Sequence, residues 1–80
     1  MDRPSVVNAL TSILVYHLGI EATECVGTAR FDVDFGADSL DVVEIIVAVE
    51  EEFGFCVDDE FVSSIETFDD AVRYILESVP

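Results

Sequence analysis

Between Asp38 and Gly54 the apolar residues Val42, Ile45, Ile46, Val49 and Phe53 fall three or four positions apart, the spacing that lines one face of an α-helix. Asp38 suits the N-cap of that helix. Asp41, three positions on, suits its first turn, where carboxylates meet free amides. Gly54 stops it. Weaker versions of the pattern flank this segment. Leu10, Ile13, Leu14 and Leu18 predict a helix from about Ser5 to Leu18, opened by Pro4 and Ser5 and closed by Gly19. A short helix fits Asp59 to Ser64, with Val62 and Ile65 turned inward. Thr67, with Asp70 three positions later, caps a last helix bearing Phe68, Ala71, Val72, Ile75 and Leu76. No alternating strand pattern is present. The expected fold is all-α: a small four-helix bundle of three longer helices and one short one, with a long loop from Ile20 to Ala37 between helices one and two. A loop of that length needs pinning, and Val26, Phe31, Val33 and Phe35 are the expected anchors.

The 80 residues are expected to form one domain, 1–80. A core of this size leaves no room for a walled catalytic cleft, so the chain is expected to present something to a larger partner rather than to act as an enzyme. With 51% hydrophobic residues it is not a disordered tail. Its 18 Asp and Glu stand against 3 arginines, a net charge of −15. Such a field repels nucleic acid and anionic lipid, attracts basic protein surfaces and divalent cations, and opposes folding by self-repulsion. Marginal stability at low salt, relieved by Mg²⁺ or Ca²⁺, is expected. Cys25 and Cys56 lack the spacing of a zinc site and read as small residues at core edges. No apolar run is long enough to span a bilayer and no signal segment is seen, so a soluble, monomeric, cytoplasmic protein is expected.

Chemistry concentrates at Phe35-Gly36-Ala37-Asp38-Ser39-Leu40-Asp41, which brings a serine to the first turn of the second helix. The unpaired amides there would favour a phosphodiester on its oxygen. Ser39 as a nucleophile in its own right would need a nearby base, and the lone His17 lies at the edge of the first helix. The G-x-S-x-G elbow is absent. Ser39 as a simple capping hydroxyl is the competing reading. The second helix also carries a second apolar set, Leu40, Val43 and Val47, with Glu44, Glu50 and Glu51 beside it. An apolar strip rimmed by acids looks like a docking face; a wide core stripe under the long loop is the alternative. Asp32, Asp34 and Asp38 fail the calcium-loop pattern, and the runs at 50–52 and 58–60 read as solvated acids, so no metal site is expected.

The stretch Gly36-Ala37-Asp38-Ser39-Leu40-Asp41, followed by Val43-Glu44 and Glu50-Glu51-Glu52-Phe53, resembles the acyl carrier proteins of dissociated, bacterial-type fatty acid synthesis. The similarity extends over nearly the whole chain. It implies that 4′-phosphopantetheine is esterified to Ser39 by a phosphopantetheinyl transferase using coenzyme A, and that the arm's thiol holds acyl groups as thioesters. It implies partner binding through Asp38, Leu40, Asp41, Val43, Glu44, Val47 and Glu50, facing basic patches on fatty acid synthesis enzymes and acyltransferases. It implies that an acyl chain can slip between the helices near Val47 and Ile65. A specialised carrier for polyketide, lipid A or aminoacyl transfer, or an unmodified acidic interaction module, are the alternatives. The chain departs from the family in lacking lysine, in its less charged first helix with Val15 and Tyr16 expected exposed, and in Asp58, Phe55 and Phe61.

Overall fold

The computed structural model describes residues 1–79. Four α-helices follow one another: α1 (Arg3–Leu18), α2 (Ser39–Phe53), α3 (Asp59–Val62) and α4 (Phe68–Ser78), with a single 3₁₀ turn at Ala22–Glu24. The all-helical expectation holds: among the described residues the only extended pairing is an isolated bridge between Arg30 and Thr67. No helix among them is long and apolar enough to cross a membrane.

α1 begins two residues before the expected start. Asp2 is the N-cap, and its carboxylate accepts from the Ser5 amide at 3.0 Å while Pro4 occupies the first turn. Val6, Leu10 and Leu14 form its buried row and pack against both α2 and α4. Val15 is half-buried, not exposed, whereas Tyr16 is the most exposed large hydrophobic residue among those described, at 84%. α2 is closed at its C-terminus by Gly54 at φ 74°, a left-handed conformation in which a Cβ would be strained. α3 is shorter than predicted. The Ser63 and Ser64 hydroxyls donate back to the carbonyls of Glu60 and Phe61, and three-residue backbone turns replace the helical ladder. α4 starts as expected, with Thr67 and Asp70 exchanging side-chain bonds to each other's amides.

The core joins Val6, Leu10, Leu14, Ile45, Val49, Phe53, Phe68, Ala71, Val72 and Ile75 with two residues of the long loop, Ala29 and Phe35. Of the expected anchors, Phe35 is buried and Phe31 half-buried, their rings edge to face at 5.3 Å. Val26 and Val33 are instead exposed, at 54% and 73%. Backbone hydrogen bonds do the remaining pinning. The Gly27 and Ala29 carbonyls accept the first amides of α4, from Asp69 and Phe68, and the Phe31 amide donates to Glu66. The loop thereby satisfies donors that the helix start cannot pair internally. Cys25 packs half-buried on the core, but Cys56 is exposed rather than at a core edge, and both are free thiols.

Candidate functional site

The loop ends in a closed turn. The Ala37 amide donates to the Phe31 carbonyl at 2.9 Å, and Gly36 takes φ 66°, which reverses the chain into α2. Asp38 is the N-cap of α2: its carboxylate accepts the Asp41 amide at 2.9 Å, and the Asp41 carboxylate accepts the Asp38 amide at 3.2 Å. The capping role is therefore filled one residue before Ser39. Ser39, the first helical residue, is left exposed beside amides that have no partner four residues back. A phosphodiester fits here: the oxygen is open, nothing walls it in, and the helix dipole favours negative charge.

His17 does not serve Ser39. Its Nδ1 lies 3.9 Å from the Glu44 carboxylate, about 7.5 Å along the axis of α2 from Ser39 at 1.5 Å per residue.

The structure separates the residues predicted for a partner face. Leu40, Val43 and Val47 stand 68%, 57% and 48% exposed, in one row with exposed Glu44. Asp38 and Asp41 flank Ser39 but spend carboxylate oxygens on the cap. Glu50 is a correction. It is half-buried, and its carboxylate accepts the Val57 amide at 2.8 Å, tying the chain after α2 back to the helix rather than reaching outward. Glu51 occupies the place on the outer row expected for Glu50.

Behind α2 lies an apolar cavity of about 190 Å³, bounded by Val42, Ile46, Val57, Val62, Ile65 and Tyr74 among others. Ile65 lines it as expected. Val47 does not; it faces outward on the opposite side of α2. Tyr74 brings the one polar side-chain group to this wall, and its hydroxyl accepts the Asp58 amide at 2.9 Å. Its ring lies against Phe55 and Phe61 at centroid distances of 5.9 and 5.3 Å. Phe55 and Phe61, departures from the family pattern in sequence, pack on Tyr74 beside the cavity. Asp58 takes over the local role of a rigid turn residue by accepting the Glu60 amide and capping α3. Among the described residues no three metal-ligating side chains come together.

A family model described as a phosphopantetheine attachment site matches residues 8–75, from within α1 to within α4. Among solved structures, the chain is similar to the acyl carrier protein from Enterococcus faecalis, the subject of work on its high thermal stability. The two are 35% identical with a TM-score of 0.81, over 96% of this chain and 98% of that one.

Proposed function

This chain belongs to the acyl carrier protein family, and on that premise we propose that Ser39 is its attachment residue and fatty acid synthesis, in the cytoplasm, its pathway. Members of the family are carriers rather than enzymes, and 4′-phosphopantetheine is the cofactor. When bound, that group supplies a thiol on which acyl chains are held as thioesters.

The observation that carries the assignment is the division of labour at the start of α2. Asp38 caps the helix, so Ser39 Oγ is free to be esterified without loss of the cap. The amides of Ser39 and Leu40 give the phosphodiester a favourable potential. No base is needed within the chain, because deprotonation of Ser39 falls to the transferase. The exposed row Leu40, Val43, Glu44 and Val47 presents apolar area with an acidic rim to basic patches on that enzyme and on synthesis enzymes. Fatty acyl cargo is supported by the cavity behind α2, whose walls are apolar and whose one hydroxyl already accepts a bond.

Intact mass after co-expression with a phosphopantetheinyl transferase tests the attachment. The wild-type protein gains one arm and Ser39→Ala gains none. Protein that stays unmodified with several such transferases overturns the assignment. Protein isolated from its own host with thioesters preserved then reports the cargo. Straight alkyl masses support fatty acid synthesis, and aminoacyl masses reject it.

A further inference from the structure

The outer row of α2 does not stand alone. Tyr16 and His17 of α1 rise beside it, and with Val43, Glu44, Val47 and Glu51 they form a shallow groove between the two helices. Tyr16 is 84% exposed yet not loosely hung: its ring meets the edge of His17 at 5.0 Å and 82°, and His17 in turn faces Glu44. The groove thus has an aromatic wall from α1, an apolar floor from α2 and a carboxylate on the rim at each end.

Apart from His17, its carboxylates have no basic side chain beside them among the described residues. Arg3 pairs with Asp69, Arg30 with Asp32 and Glu66, and Arg73 with Asp69 and Asp70. Glu44 and Glu51 meet no arginine among the described residues. A second copy, itself at −15, would bring like charge to the groove, and an anionic bilayer would be repelled. The complementary occupant is a cationic protein segment. Arginine suits it better than lysine, because a guanidinium stacks on an aromatic face while pairing with a carboxylate.

We infer that Tyr16 is a specificity-determining residue of the docking surface: it receives an arginine-bearing segment of the enzyme that loads Ser39, so recognition spans α1 and α2 rather than α2 alone. The inference rests on the carrier reading above but is separable from it.

Steady-state transfer from coenzyme A to the full-length apo protein, catalysed by the host's phosphopantetheinyl transferase, tests it. Tyr16→Ala is expected to raise KM for the protein about five-fold, the cost of losing one good aromatic contact, with kcat unchanged. Tyr16→Phe, which keeps the ring, is expected to stay within about two-fold of wild type. The melting temperature of either variant should not move, since the side chain is open to solvent. An unchanged KM for Tyr16→Ala, with Ser39 still modified, overturns the role of Tyr16 and leaves the attachment site standing. A concentration-dependent dimer abolished by Tyr16→Ala, with KM unchanged, would give the groove to a second copy and equally overturns it. Wild-type protein that accepts no arm removes both readings.

Discussion

At the scale of single residues, the proposed attachment turns on which of two neighbours caps α2. Asp38 and Ser39 both have side chains suited to an N-cap, and the side chain that takes the Asp41 amide belongs to Asp38. The consequence is measurable by thermal melting. Asp38→Ala should cost about 1 kcal/mol, the usual worth of a cap, and lower the melting temperature by roughly 4–8 °C for a domain of this size. Ser39→Ala should leave the melting temperature nearly unchanged, because its side chain is exposed and the cap lies elsewhere. If Ser39→Ala proves as costly as Asp38→Ala, the serine is a structural cap and its availability to a partner is lost. Glu50 makes the same point in reverse. It sits in a run of three glutamates with identical side chains, yet only its carboxylate is recorded holding the amide of Val57.

At the scale of elements, α2 is a helix with two apolar faces, and the faces differ in what they meet. Val49 is 6% exposed among Leu10, Phe53 and Ile75 of the core, whereas Val47, two positions earlier, is 48% exposed on the outer row. The same substitution should therefore have opposite consequences. Val49→Ala removes two buried methyl groups and should cost about 2 kcal/mol, near 10 °C of melting temperature, with docking intact in the folded fraction. Val47→Ala should leave the melt unchanged and weaken binding to the loading transferase. A large loss of stability from Val47→Ala would show that the outer row is core and not docking surface. α3 is the opposite kind of element. Its four residues have no fully buried member, and it is held by the Asp58 cap, the bond to Tyr74 and the stacked rings of Phe61 and Tyr74. So short a helix owes its existence to these contacts rather than to its own propensity.

At the scale of the molecule, the excess of acid sets the stability. The net charge of −15 is spread over a surface whose three arginines are already paired, so the folded state is strained by repulsion. Added salt or millimolar Mg²⁺ should raise the melting temperature by screening or territorial binding, with no dedicated site required. Acid acts through three carboxylates. Hydrogen bonds from Ser5 hold Asp2 below the ordinary aspartate value of 3.8, the Arg30 guanidinium holds Asp32 down, and the amides of Glu66 and Thr67 hold Asp70 down. Each carboxylate binds its proton less readily folded than unfolded. Each thus contributes stability above 3.8 that disappears as pH falls through its lowered folded value. Melting temperature should therefore fall as the pH is lowered below 3.8 through those depressed values. A melt indifferent to added salt and to Mg²⁺ would refute the account of repulsion.

The sequence by itself determined the helices that have their own punctuation. Asp38 with Asp41, Thr67 with Asp70, and the glycines after α1 and α2 are local chemistry, legible because cap and first turn lie three residues apart. Ser39 was legible for the same reason, as was the outer row of α2 through its spacing. What only the tertiary structure decided depends on residues distant in the chain. Apolar character alone did not tell Phe35, which is buried, from Val33, which is not. The loop's place is set by backbone bonds to the start of α4, and these carry no side-chain signature. Charge alone did not tell Glu50 from Glu51, because the amide of Val57 arrives only when the chain turns back after Gly54. Tyr16 was visible as an exposed aromatic, but its place on the groove follows from α1 packing beside α2. Periodicity records the face a residue occupies on its own helix; what that face meets is settled when the helices come together.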